Sequence, residues 1–466
     1  MSRADAPRLR LVEAELYERP VTFRLPFRFG AVTLTAAPQA FVRVRIRLAD
    51  GREGLGQSAE LIVPKWFDKN PDLSNEENFS QLRASLREAR IHLMGAGENT
   101  AFGLSASVEK AHHAACATLG LGGLIASFGL ALLERAILDA LCKLLDLPAQ
   151  KALRANLAGI DATTAPDLKG FDLDDFLTGC IPQDQIHVRH TIGMLDAIFD
   201  ADRQELLNDG LPDSVESAIA AYGHRYFKVK LGGQIDADLD RLTRIASLLD
   251  AKVPGYRLTL DGNEQYPDQQ PVIELWRKIG EQPSLKQFAA ATLFIEQPIA
   301  RAKALSEPIH ELPVAVEIDE SDADIDSFVT AKALGYRGIS SKSCKGIYRA
   351  ILNRARVASW GEGYFMSAED LTTQGGVAVQ QDLLLASFLG LGHVERNGHH
   401  YVDGMAGADQ REQEAFLTAH ADLYQASNGR TRLAIQGGSV SLKSLLAAPG
   451  LGSAVGPDWA ALAPLS

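Results

Sequence analysis

Cysteine is scarce in this sequence: four in 466 residues, at 116, 142, 180 and 344, with no Cys-x-x-Cys. That spacing suggests neither a disulfide framework nor a zinc site, and the expected compartment is a reducing cytoplasm. Positive charge is also in short supply. Lysine and arginine number 47 against 59 aspartates and glutamates, the net charge is −12, and no basic block appears. This argues against a nucleic-acid surface, although a local pocket can still be cationic. Long apolar runs are nearly missing. Met1-Ser-Arg-Ala-Asp-Ala-Pro lacks the apolar core of a signal peptide. Ala114 to Leu133 is 20 residues without a charge, near the length of a membrane span. It carries glycines at 120, 122, 123 and 129 and runs into Glu134-Arg-Ala-Ile-Leu-Asp139. The segment therefore reads as a Gly-rich loop and the start of a buried helix, and no membrane association is expected.

What is present suggests two or three units in a chain of this length. Residues 9 to about 55 predict a small antiparallel sheet: Phe41-Val-Arg-Val-Arg-Ile-Arg-Leu48 alternates apolar and polar, and Asp50-Gly51 is a hairpin signal. Pro26–Gly30 and Ser58–Asp72 are expected loops. The second holds Lys65, Trp66, Phe67 and Lys69, either exposed aromatics at a pocket mouth or an ordinary packed loop. Asn78–Leu147 is helical in pattern, and 150–185 reads as an acidic bridge. From Ile186 the chain alternates strand and helix, with strands near 187, 226, 257, 293, 314, 338, 364 and 393. Eight such units favour a closed barrel. A last helix is expected at Glu412–Gln425, followed by a Gly/Pro-rich tail. The domains are thus 1–185, an α+β capping domain and bridge, 186–426, the (β/α) barrel with the active site, and 427–466, a C-terminal segment.

The stretch from Tyr226 to Lys345 carries the chemistry. Short apolar runs end in Lys230, Asp261, Glu296, Asp319 and Lys342. Barrel active sites lie at the C-terminal strand ends. One aspartate there is often just a helix cap. Three carboxylates in successive units would repel one another unless neutralised, and a hard divalent cation such as Mg²⁺ does that. Lys228 and Lys230 alternate by two and so face the same side, where two close ammonium groups lower each other's pKa into the range of a general base. Lys342 ends a strand four positions round the ring, opposite Lys230. Lys345 is expected to be a solvated lysine. A metal between opposed lysines suits removal of a proton next to a carboxylate.

This constellation resembles the enolase superfamily of mandelate racemase/muconate lactonizing type, and most closely its muconate-lactonizing subgroup. The resemblance rests on Lys228-Val-Lys230, Leu260-Asp-Gly-Asn263, Ile295-Glu-Gln-Pro298, Ile318-Asp-Glu-Ser321 and Ser341-Lys-Ser-Cys-Lys-Gly346. Leu133–Leu141 looks like a capping-domain helix and Pro449-Gly-Leu-Gly452 like the return to the cap. The likeness implies a modified (β/α)7β TIM-type barrel with an α+β capping domain. It implies Mg²⁺ (or Mn²⁺) on Asp261, Glu296 and Asp319, with Lys230 and Lys342 as the acid/base pair. Lys228 would contact the substrate carboxylate and tune Lys230. Phe365-Met-Ser-Ala-Glu369-Asp370 stands where the mandelate racemase subgroup has a histidine. Asn263, Glu369 and Glu395 are substrate-binding candidates, Glu395 equally a salt-bridge partner of Arg396. His399 and His400 read as a surface pair. Gly56-Gln57 stands where many relatives have Gly-Glu.

The expected function is abstraction of the proton α to a carboxylate, giving an enediolate. Racemisation or epimerisation, or β-elimination or cycloisomerisation, would follow, on a sugar acid, amino acid or related small carboxylate, in a homo-oligomer. The competing readings are a non-catalytic anion-binding barrel and a metal-dependent aldolase-type barrel.

Overall fold

The computed structural model describes residues 6–29, 32–371 and 375–465. Two long strands, β1 (Leu9–Phe29) and β2 (Val32–Leu48), pair antiparallel, and β3 (Glu53–Leu61) continues the sheet. The expected loop at 26–30 is strand as far as Phe29. The register shifts between Thr22 and Phe27, after which Phe27 and Phe29 point inward, buried, and pair with Leu34 and Val32; Gly30 lies outside the described residues. Ser58–Leu61 is likewise strand, not loop.

Three helices cover one side of this sheet: α1 (Asn75–Gly95), α2 (Ala101–Thr118) and α3 (Gly123–Leu144). The Ser74 hydroxyl accepts from the Glu77 amide, and the Glu77 carboxylate accepts from the Ser74 amide, closing a capping box on α1. The uncharged stretch resolves into the end of α2, the turn 119–122 and the first half of the buried α3. Among the described residues no helix is long and apolar enough to cross a membrane. The sheet meets α3 at Gly56. A Cβ there would lie 2.2 Å from the Ala136 carbonyl and 2.3 Å from the Ala140 amide. Backbone cannot yield as a flexible side chain can, so Gly56→Ala is expected to destabilise the chain by about 1–3 kcal/mol, read as a lower urea midpoint.

The barrel strands are β4 (Gln185–Ile192), β5 (Tyr226–Lys230), β6 (Arg257–Asp261), β7 (Thr292–Glu296), β8 (Val316–Ile318), β9 (Gly338–Ser341), β10 (Phe365–Ala368) and β11 (His393–Arg396). All eight fall at or within two residues of their expected positions. They are parallel in the order β10-β9-β8-β7-β6-β5-β4-β11. The sheet curls fully, because Lys228 of β5 reaches carboxylates on β7, beyond β10 and on β11. The ladder does not close between β10 and β11. Side chains bridge that seam instead: the Asp370 amide donates to Glu395 and the Asn397 amide to Asp370.

The last long helix stops at Ala419, short of the expected Gln425. Tyr424–Ser427 and Arg430–Leu433 form a hairpin, β12 and β13, whose turn residues Asn428 and Gly429 both have positive φ, the two-residue turn that Asn-Gly favours. The tail then adds β14 (Ser439–Ser441), antiparallel to β4, and β15 (Ala463–Pro464), antiparallel to β1. Between them Gly450 pairs with Leu147 and Ala149, and the Leu451 amide donates to Asp139 of α3. The C-terminal segment thus ties the N-terminal sheet and helices to the barrel.

Glu134 of α3 makes a second tie, accepting from Ser105 and from the Ile347 amide at the start of the helix after β9. Burial pushes its carboxyl up to about 7. A carboxyl raised above its unfolded value contributes stability below pH 4.5 that is lost as pH rises through 7. Stability measured by urea denaturation is therefore expected to fall between pH 4.5 and 8 by roughly 3 kcal/mol relative to Glu134→Gln, which keeps the acceptor oxygen but cannot ionise.

Candidate active site

On each barrel strand the residues of one parity face inward, which stacks two tiers of polar side chains. The upper tier holds Lys230, Asp261, Glu296, Asp319, Lys342, Glu369 and Glu395. Beneath it, two residues earlier on the same strands, lie Lys228, Glu317, Ser340 and Ser367. All are buried.

Lys228 is the hub. Its Nζ lies 2.9 Å from Asp261, 2.7 Å from Glu296, 2.8 Å from Glu369 and 3.1 Å from Glu395. Burial opposes its charge, but these carboxylates outweigh burial and hold the ammonium well above the usual lysine range. The expected mutual depression of Lys228 and Lys230 is thus overridden at Lys228. Lys230 donates to Asp261 at 2.5 Å. Lys342 donates to Asp319, and its Nζ sits 4.1 Å over the Trp66 ring. Against the pull of burial, Asp319 keeps Lys342 charged.

Lys345 is not solvated. It is buried and donates to Ser340, with Asp319 and Asp322 at 3.4 and 3.1 Å. Nor are Trp66 and Phe67 exposed. Their carbonyls accept from Arg301, and Lys69 of the same loop donates to the Asn263 carbonyl and pairs with Glu264. The loop is thereby pinned on the barrel mouth, and Trp66 lines the same cavity as Phe27, Phe29, Lys230, Asn263, Lys342 and Glu395. This cavity has a free volume of only ≈20 Å³, little more than one water. A substrate enters only if the residues from the N-terminal sheet and the 62–72 loop draw back.

The carboxylates differ in electrostatic standing. Burial raises Asp261 and Asp319, but their lysines win and both are held low. Lysines hold Glu395 low in the same way. Glu296 goes the other way, pushed well up by burial and by Asp261 and Glu369 beside it. Here negative charge exceeds the cations available. An all-oxygen donor set short of positive charge suits a hard divalent ion, so the residues fit Mg²⁺ or Mn²⁺. Among the described residues, the carboxylates with oxygens mutually within 4.8 Å are Glu296, Glu317 and Glu369. Asp261 and Asp319 flank that group at the upper tier, each tied to its lysine.

Asn263 lines the cavity: its backbone amide donates to Asp261 and its side-chain nitrogen to Glu320, while Oδ1 is buried without a partner. Glu369 pairs with Arg189 and Lys228 and accepts from Ser367. Glu395 accepts from Thr191 and Asn397 and pairs with Lys228. Sequence reasoning missed Arg189, Glu317 and Ser340, although the period-two rule that placed Lys228 under Lys230 also places Glu317 under Asp319. It also missed Glu60 on β3, which contacts Arg135 and Ser343 and is raised by burial to about 7.

No family model and no curated protein matches this sequence. Solved structures do. A muconate lactonizing enzyme from Pseudomonas fluorescens, solved with muconolactone, is 18% identical, covering 95% of this chain and 96% of its own, with a TM-score of 0.58. An enolase from Bradyrhizobium, solved with magnesium and mandelic acid, is 17% identical over 97% of each chain, with a TM-score of 0.61. The chain has the enolase-superfamily fold. A dipeptide epimerase from Methylococcus capsulatus, solved with Mg and L-Arg-D-Lys, shares this enolase-superfamily fold at 18% identity, over 92% of this chain and 99% of its own, with a TM-score of 0.53. The matched structures include one described as a mandelate racemase/muconate lactonizing protein, from Herpetosiphon aurantiacus, and they do not single out the muconate-lactonizing subgroup.

Proposed function

We propose that this chain is a divalent-metal-dependent enzyme that removes the proton α to a carboxylate. The observation that carries the reading is the pair Lys230 and Lys342. They belong to positions four strands apart in the ring, yet line one cavity, with Asp261, Glu296 and Asp319 between them. Asp261, Glu296 and Asp319 would hold the metal. Bound there, Mg²⁺ supplies the positive charge that stabilises the two oxygens of an enediolate.

The rest falls to the chain's own side chains. Asp319 now favours the charged form of Lys342. Once Asp319 is committed to a cation, Lys342 loses that support and burial favours its neutral, basic form. One lysine takes the α proton. The other, protonated, delivers its own proton to the opposite face, giving racemisation or epimerisation, or stands aside while a β group leaves. Lys228 stays charged beneath them and holds the substrate carboxylate side of the site positive. Trp66, Phe27 and Phe29 exclude water, which strengthens every interaction inside.

The test is proton exchange in deuterated water over a panel of acid sugars, amino acids and dipeptides. At least one acid is expected to lose its α-proton signal, and only with Mg²⁺ or Mn²⁺ present. No exchange with any acid, while the metal is demonstrably bound, would overturn the reading.

A further inference from the structure

His399 is half-buried against the outer wall of the barrel, facing two histidines from distant parts of the chain. His190 sits on β4 between inward-facing Arg189 and Thr191, so its ring points outward, away from the active site. His224 precedes β5, and His399 lies in the short helical turn Gly398–Tyr401 after β11. The adjacency of β11, β4 and β5 brings the three together. The rings of His190 and His224 stack at 4.7 Å, and His190 Nδ1 is 3.1 Å from His399 Nε2. One ring nitrogen from each lies within 4.8 Å of the other two.

These rings are costly to bury as they stand. His190 and His224 are 0% and 1% exposed. His190 Nε2, His399 Nδ1 and both nitrogens of His224 have no hydrogen-bond partner; the Val188 backbone faces His224 without reaching hydrogen-bond geometry. An unpartnered buried polar atom loses on the order of 1–3 kcal/mol, and the three rings carry four of them, two on His224. Burial also keeps all three rings neutral, the form that ligates metals. A tetrahedral ion with bonds of about 2.1 Å sets its nitrogen ligands about 3.4 Å apart, close to the His190–His399 separation. A cavity of ≈220 Å³, lined by Tyr222, Gln425 and Arg432, reaches His399 of the cluster from outside. It gives an ion a way in and a water a place in the fourth position. Arg432 at its edge is already neutralised by Asp403. His400 is not part of the group and faces Asp196 at 4.0 Å.

We propose that His190, His224 and His399 form a second metal site, for a borderline divalent ion of the zinc class, separate from the oxygen-lined site in the barrel mouth. Three imidazoles and no carboxylate favour Zn²⁺, Co²⁺ or Ni²⁺ over Mg²⁺. The proton shared by His190 and His399 moves to an outer ring nitrogen as the metal takes its place, so binding needs no net proton loss. The ion would pin the segment after β11 to β4 next to the open seam of the barrel.

The test uses the full chain, stripped with chelator and saturated with Mg²⁺, then titrated with Co²⁺. One equivalent is expected to bind and give the visible bands of a four-coordinate nitrogen-ligated cobalt, and Zn²⁺ is expected to displace it. His399→Gln, at a partly exposed position, is expected to weaken binding by more than the roughly 10–100-fold that loss of an orienting partner costs. As a check independent of any variant's folding, the imidazole ¹⁵N signals of three histidines in the unmodified chain should shift on Zn²⁺ addition. No cobalt bound in excess of Mg²⁺, unchanged cobalt spectra in His399→Gln, or no histidine shift would each overturn the proposal.

Discussion

Lys342→Ala is expected to abolish exchange of the α proton from one face of the substrate, lowering turnover by about 10²–10⁴-fold. Lys230→Ala is expected to do the same from the other face. The asymmetry follows from position. Lys230 ends β5 and Lys342 follows β9, at opposite points of the ring, with the cavity between them. In a racemase or epimerase each variant would retain exchange of one configuration only. In an elimination one variant would lose everything and the other less. The pair of measurements therefore also sorts the reaction type. If both variants kept full turnover, the acid/base assignment would be wrong.

Lys228→Met carries the second large effect, on stability. Lys228 is the shared partner of Asp261, Glu296, Glu369 and Glu395, all fully buried. Removing one partner from a buried ion pair leaves an uncompensated charge and costs about 3–5 kcal/mol. Here four carboxylates lose it at once, so a loss at the upper end of that range is expected in urea denaturation. Glu395→Gln in the same chain should recover part of it, because Gln still accepts from Thr191 and Asn397 while removing one negative charge. A Lys228→Met chain as stable as the parent would show that the hub does not hold the carboxylates together.

Much of this arrangement was legible in the sequence because strand ends punctuate it. Five successive βα units close a short run with a charged residue, so Lys230, Asp261, Glu296, Asp319 and Lys342 could be placed on one rim without coordinates. The tier beneath was harder. Arg189, Ser340 and Ser367 follow the same alternation, but an inward-facing polar residue in mid-strand looks like any other until its partners are known. Lys345 was read as solvated because nothing local says that Ser340 and Asp319 fold over it. The histidine cluster was out of reach altogether. His190, His224 and His399 share no periodicity and meet only because β11 lies beside β4. The strand through Phe29 and the stop at Ala419 turned on tertiary pairing: Phe27 and Phe29 gained partners on β2, while Tyr424 was drawn into a hairpin.

The central claim is that a divalent cation belongs between the two lysines, on Asp261, Glu296 and Asp319. A crystal grown with Mn²⁺ and measured at the manganese absorption edge tests it most directly. The account predicts one strong anomalous peak in the barrel, within coordination distance of those three carboxylates and beside the cavity lined by Lys230 and Lys342. A peak displaced toward Glu317, on Glu296, Glu317 and Glu369 and away from Asp261 and Asp319, or no peak in the barrel at all, would contradict it.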